Sequence, residues 1–236
     1  MRAARDDRTE SVSPTVEVGG SRFTATVYDP FLWWGEVLGM RARRRRLLSS
    51  ARGRVLEIGA GTGLNLRHYP AGIEELVLAE PYEPMTDRLE RRRSRSGRVA
   101  RIVAASAEAL PFEDGSFDTV VSTLVLCTVA DPERAVSEVR RVLRPGGRLL
   151  FCEHVRSDSA RIARWQDRLA DAWAGLADGC RCNRDTLATI SSQLETATVE
   201  RVRWRGMPPL VHPLVLGEAA VGRGGGAPGL LEVTRS

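Results

Sequence analysis

Short apolar runs alternate along the chain with longer segments whose apolar residues recur at helical spacing. Residues 55–58, 76–79, 101–105, 117–122 and 149–152 read as five strands. They are close to continuously apolar, which predicts a largely parallel sheet covered on both faces. A helix through Leu38, Met40, Leu47 and Leu48 is expected before the first strand. Residues 64–69 begin a short helix that Pro70 stops, and 86–96 form a strongly basic one. Asp131-Pro132-Glu133 combines an N-cap, a proline at the first helical position and an acid in the first turn. The helix it opens carries Ala135, Val136, Val139, Val142 and Leu143 at the helical period, and Pro145-Gly146-Gly147 ends it. Past Val155, Ile162, Trp165, Leu169, Trp173 and Leu176 make a stripe expected to pack into the core. A helix over 184–194 capped by Asn183, and closing strands at 198–204 and 214–220, complete the α/β pattern.

With 236 residues and 42% hydrophobic content the chain can build one sizeable core. Polar residues 1–20 and the glycine-rich 222–236 are expected as flexible tails around a single domain at 21–221. Within it, 52–155 is expected to form the core, and 156–221 further helices and closing strands. No run approaches the ~18–20 apolar residues of a membrane-spanning helix, and the first ten residues hold no apolar stretch of a secretory leader. Cys127 and Cys152 fall in apolar segments that suit reduced thiols. Cys180 and Cys182 form a C-x-C with no second pair or histidine nearby in sequence, so no metal site is read from them. A reducing cytoplasm is the simplest setting. All 35 basic residues are arginine and the net charge is +5. The arginine-rich stretches at 41–46 and 88–98 read as solvated helix faces, with contact to an anionic membrane surface left open. No nucleic-acid-binding module accompanies them.

The chemistry concentrates at Val55-Leu56-Glu57-Ile58-Gly59-Ala60-Gly61-Thr62-Gly63. A glycine-rich turn from strand to helix lets backbone approach a ligand closely and aims free N–H groups at it. The dinucleotide fingerprint spaces its glycines G-x-G-x-x-G, whereas Leu64 stands at the last required position here. Glu57 would repel a pyrophosphate but suits a sulfonium and an ammonium. Glu80, ending the second strand, can accept hydrogen bonds from both hydroxyls of an adenosine ribose. Ser106 and Ala107 follow the third strand, on the edge where open α/β sheets bind ligands. A nicotinamide-dependent oxidoreductase is disfavoured by Glu57 and Leu64, and a non-catalytic cofactor-binding protein stays open.

In these motifs, together with Ser106 to Phe112 and Leu143-Arg144-Pro145-Gly146-Gly147, residues 52 to about 155 resemble the class I S-adenosylmethionine-dependent methyltransferases. The quinone-biosynthesis branch is similar. The resemblance implies a Rossmann-like, seven-stranded, mostly parallel sheet whose last strand is antiparallel. It also implies S-adenosyl-L-methionine as cofactor, held by Glu57, Gly59, Ala60, Gly61 and Gly63 at its methionine part. Glu80 and Pro81 would serve the ribose, Ser106 and Ala107 the adenine, and Thr123 would border the same site. A narrower similarity, to the methyltransferase-like alkyl thiol methyltransferases, runs over about 50–220. It rests on Thr123 to Val129, Glu153-His154-Val155, Trp165-Gln166, Ala172-Trp173, Asp178-Gly179-Cys180 and His212.

Methyl transfer from a sulfonium is an in-line displacement, served chiefly by positioning the acceptor and excluding water. A base is needed only where the acceptor must lose a proton, and a thiol with a pKa near 8.5 needs little help. The acceptor is therefore expected to be a small, fairly apolar molecule, a thiol first. A quinone precursor or a phospholipid amine head group is the alternative. His154 and Cys127 are the candidate catalytic residues; Tyr28, in an aromatic lid, and Trp165 and Trp173, lining an apolar pocket, are the acceptor-side candidates.

Overall fold

The computed structural model describes residues 33–222 and the backbone of Val233–Arg235. Tyr28 and the 1–20 tail lie outside the described residues. The strands are β1 (Arg54–Ile58), β2 (Glu75–Ala79), β3 (Arg101–Val103), β4 (Phe117–Thr123), β5 (Leu143–His154), β6 (Glu195–Arg203), β7 (Pro213–Ala220) and β8 (Val233–Arg235). They form one sheet in the order β3-β2-β1-β4-β5-β7-β6-β8. The pairs from β3 through β5 are parallel, and β7 runs antiparallel between β5 and β6. The first seven strands are thus the expected mostly parallel sheet with an antiparallel seventh. β8 adds a parallel edge beside β6, where a flexible tail was expected.

Alternate residues along the strands feed two cores. Leu56, Ile58, Val120, Leu149 and Phe151 pack on one face beneath α3 (Pro132–Val142) and α5 (Thr186–Ser191). Val55, Leu78, Val121, Leu150 and Cys152 pack on the other with α1 (Arg41–Leu48). α2 (Glu83–Ser96) sends Leu89 into that second core. Asp131 caps α3 as expected, accepting from the Arg134 N–H at 3.0 Å. α5 is capped by Asp185 rather than Asn183, whose side chain instead donates to Asp167. The short helix expected at 64–69 is one 3-10 turn, Leu66–His68.

The stripe on α4 (Ala160–Leu176) is corrected. Trp165, Leu169 and Leu176 are 50%, 40% and 80% exposed, and the helix buries Ala163, Gln166 and Ala170 instead. The reason is polar. The Gln166 amide nitrogen lies within 3.2 Å of the carbonyl oxygens of Val155, Cys182 and Leu210, and its oxygen accepts the Ser157 N–H. One inward amide satisfies four backbone groups that the packed helix would otherwise strand. Small neighbours at 163 and 170 let the helix come close enough for it to reach.

Arg44 departs from the solvated face expected for its run: it is 4% exposed. Its Nε donates to Glu36 at 2.9 Å, and one terminal nitrogen reaches Asn65 at 2.9 Å and Thr123 at 3.2 Å. Asn65 passes the network on to Glu57 at 2.8 Å. Removing one partner from a buried charged pair costs about 3–5 kcal/mol. Arg44→Met should therefore lower the unfolding free energy by about that much in urea titration. A loss under ~1 kcal/mol would show that the network carries no such burden.

Candidate functional site

The residues expected to hold the cofactor lie at or just past the carboxyl ends of β1, β2, β3 and β4, where an open parallel sheet binds its ligand. Gly59, Gly61 and Gly63 all hold positive φ. A Cβ on Gly59 would collide with Val125 at 2.6 Å, and one on Gly63 with Leu89 at 2.7 Å, so these two serve packing. At Gly61 the nearest atom to an added Cβ is the Gly59 carbonyl oxygen, 4.0 Å away. That glycine lines an open cradle. The Ala60 N–H is taken by the Ala79 carbonyl at 3.0 Å, which fastens the loop to β2. Arg92 of the basic helix donates to the Thr62 carbonyl and hydroxyl and pins the loop from behind.

Glu80 sits beside this cradle, with Pro81 exposed next to it. Its two carboxylate oxygens accept the Gly61 N–H at 2.8 Å and the Tyr82 N–H at 3.0 Å. Burial raises its pKa, against those two bonds. Oriented this way, the carboxylate keeps lone pairs for a pair of vicinal hydroxyls. Glu57 lies beneath the loop, with one oxygen on the Tyr69 hydroxyl at 2.7 Å and the other on Asn65 at 2.8 Å. Burial pushes it up to about 7, opposed by those bonds and by Arg44. Thr123 is buried and engaged by Arg44 and Asn65. Both are thus built into the floor of the site.

Ala107 is buried, and Ser106 is half-buried with its oxygen accepting the Glu108 N–H at 3.2 Å. The Ser106 hydroxyl also faces the Glu108 carboxylate at 3.2 Å, so it closes a turn. The cradle open at Gly61 and the Glu80 carboxylate beside it, with lone pairs to spare, fit an adenosyl sulfonium.

The candidate catalytic residues gather past the ends of β4 and β5. Glu153 is fully buried and accepts from the Ser122 hydroxyl at 2.6 Å and from the Val125 and Leu126 N–H groups at 3.1 Å. Burial pushes it up to about 7 while these bonds pull it down. The turn it anchors presents Cys127. Cys127 and His154, both singled out from sequence, meet at 3.4 Å (Sγ to Nδ1). Cys180, set aside in sequence as half of a C-x-C, joins them at 3.5 Å from His154 Nδ1 and 3.6 Å from Cys127 Sγ. The Cys127 thiol beside Cys180 and the charge of His154 hold Cys180 down, to about 4. The contact with Cys180, and then burial, keeps the Cys127 thiol well above the usual range. Trp173 borders Cys180 and pulls the same way, whereas Trp165 is turned outward. Arg44, Asn65, Tyr69, Glu153 and Cys180 were missed from sequence. Only Glu153, adjoining His154 at a strand end, carried a local signal.

Residues 56–151 match the methyltransferase domain family. The chain is 34% identical over 195 residues to the human thiol S-methyltransferase TMT1B, covering 78% of each chain. It is 38% identical over 112 residues to the demethylmenaquinone methyltransferase of Clavibacter sepedonicus, covering 48% of this chain and 45% of that protein. To the phosphatidylethanolamine N-methyltransferase of Cereibacter sphaeroides it is 35% identical over 140 residues, 58% of this chain and 68% of that protein. A solved methyltransferase from Thermotoga maritima, described as a possible histamine N-methyltransferase, shares the fold with a TM-score of 0.62. It is 20% identical, over 85% of this chain and 97% of that one. The chain belongs to the class I S-adenosylmethionine-dependent methyltransferases. S-adenosyl-L-methionine is its cofactor, and it supplies an electrophilic methyl group when bound.

Two outcomes follow from this geometry. Glu80→Ala should weaken S-adenosylmethionine binding about 10–100-fold in calorimetry, since hydrogen bonds to a charged group contribute about 1.5–3 kcal/mol each. Gly61→Leu should abolish binding yet keep the circular dichroism spectrum, because the added side chain enters the open cradle at a cost of about 1–2 kcal/mol for the left-handed backbone. Unchanged affinity in either variant would overturn the placement.

Stability carries a pH signature. Glu57 and Glu153 ionise near 7 in the folded chain against 4.5 ordinarily. A raised acid stabilises through its protonated form, fully so below about 4.5, and this is lost as pH rises through about 7. The unfolding free energy of the cofactor-free protein should fall between about pH 5 and 7 and then level off, by no more than about 3 kcal/mol per group, and its melting temperature should fall with it. A Glu57→Gln, Glu153→Gln double variant should flatten the slope; an undiminished slope would assign it to other groups.

Proposed function

We propose that the methyl acceptor is a thiol on a small, fairly apolar molecule. The observation that carries this reading is the extent of similarity along the chain. The thiol S-methyltransferase relative aligns over twice the length of the cofactor-binding family match, so it reaches into the acceptor-side half. The quinone and phospholipid relatives cover 48–65% of this chain, against 72–78% for the thiol S-methyltransferases. Because the half that holds the cofactor is common to all of them, the longer alignment is the one that speaks to the acceptor.

The acceptor end has the character such a substrate needs. Trp204 is buried with its ring 5.6 Å from the His154 ring, and Trp173 adds apolar surface by Cys180. Gly35 lies against Trp204, so the helical segment that ends in α1 covers this end of the sheet. That segment and α4 leave Trp33, Trp34, Val37 and Leu38 exposed on one side and Trp165, Leu169 and Leu176 on the other. A thiol acceptor needs only modest activation, which fits an acceptor wall made of apolar side chains and one histidine. No helix among the described residues is long and apolar enough to cross a membrane. The four free cysteines fit a reducing, cytoplasmic setting.

The purified protein should release S-adenosylhomocysteine with small alkyl or aryl thiols, and far more slowly with quinols, phenols or amines of matched size. Turnover confined to quinol or amine acceptors would refute the thiol assignment and favour the alternative.

A further inference from the structure

We propose that Cys127, His154 and Cys180 form a binding site for one thiophilic metal ion, Zn2+ in the first instance, with a fourth coordination position left open. This stands on geometry and goes beyond the choice of acceptor. Around a tetrahedral zinc, bond lengths of about 2.3 Å to sulfur and 2.0–2.1 Å to nitrogen put two sulfurs about 3.8 Å apart and sulfur and nitrogen about 3.5 Å apart. The three ligand atoms here are separated by 3.6 Å (sulfur to sulfur) and by 3.4 and 3.5 Å (sulfur to Nδ1). All three residues are buried, and no other histidine, cysteine or carboxylate among the described residues joins them. Two thiolates and an imidazole suit zinc, and a three-ligand set with a free vertex is the arrangement of catalytic rather than structural zinc.

The backbone holds the three ligands in place beforehand. Leu124 and Asp178 are the two non-glycine residues with positive φ among those described, at 63° and 51°. Each stands a few residues ahead of one of the two cysteines. Conformations of this kind cost of order 1–3 kcal/mol and persist where the surroundings enforce them. Here the enforcement is visible. Glu153 binds the Val125 and Leu126 N–H groups, the Arg181 N–H donates to the Cys127 carbonyl at 2.7 Å, and Arg184 donates to the Leu126 and Val129 carbonyls at 2.8 Å. The Thr186 hydroxyl bonds the His154 carbonyl at 2.8 Å, and Trp204 lies against the His154 ring. Cys152 and Cys182 provide the contrast within the same core: both are buried thiols, and neither enters the triad.

The full chain, reduced and stripped with a chelator, is titrated with Zn2+ and separately with Co2+. The expected result is one equivalent of metal retained per chain after gel filtration. Co2+ should give a thiolate-to-metal charge-transfer band and the intense visible bands of tetrahedral coordination. Cys127→Ser and Cys180→Ser should each weaken Zn2+ binding at least about 10–100-fold, the loss known for even outer partners of metal ligands. Cys152→Ala and Cys182→Ala should bind as the parent does. If Cys127→Ser fails to fold by circular dichroism, Cys180→Ser and the parent cobalt spectrum decide. Substoichiometric uptake by the reduced parent, a cobalt spectrum without the charge-transfer band, or undiminished affinity in the folded cysteine variants would overturn the site.

Discussion

A guanidinium with almost no water around it has to be matched by polar groups, and Arg44 finds them in three separate parts of the chain. Glu36 comes from the turn before α1, Asn65 from the segment after the glycine loop, and Thr123 from the end of β4. Asn65 and Tyr69 then hold both oxygens of Glu57. The glycine loop rests on this network, because the residues on either side of it, Glu57 and Asn65, are the ones it fastens. Such a network is costly when incomplete and rigid when complete. It therefore supplies what the backbone N–H groups of the loop cannot: a floor that keeps the cradle at Gly61 open when nothing lies in it.

The same floor sets the electrostatics. Burial and the charge of Glu80 raise the cost of ionising Glu57, and Arg44 offsets part of it. A cationic methyl donor relieves the remainder. Several arginines are engaged inside the fold. Arg44 is a structural counter-charge, Arg92 pins Thr62, and Arg98 donates to the carbonyls of Tyr69 and Pro70. The charge excess at the surface and the chemistry in the site are separate matters.

Strand alternation divides the labour between neighbouring residues at the end of β5. Glu153 points to one face, where it gathers the N–H groups of the 125–126 turn. His154 points to the other, among Cys127, Cys180 and Trp204. A one-residue slip of β5 would exchange a turn anchor for a site residue, so its register against β4 and β7 is itself part of the site.

Much of this was legible in the linear order of residues. Continuous apolar runs, the glycine loop, Glu80 at the end of the second strand and the Asp131 cap are local features, and local propensity and spacing settle them. The parallel core was accordingly anticipated, whereas the antiparallel seventh strand and the cofactor were implied by the resemblance to the class I methyltransferases. What the sequence could not decide were the long-range contacts and the direction in which amphipathic residues turn. Arg44 looked like one more solvated arginine until a fold placed Asn65 and Thr123 around it. The aromatic stripe of α4 obeyed the helical period, yet Gln166 faces inward because four stranded backbone groups outweigh the burial of Trp165 and Leu169. Cys180 belonged in sequence with Cys182, two residues away. In space it belongs with Cys127 and His154, because the ends of β4 and β5 and the loop after α4 converge at one corner of the sheet, and only the tertiary structure brings those three segments together.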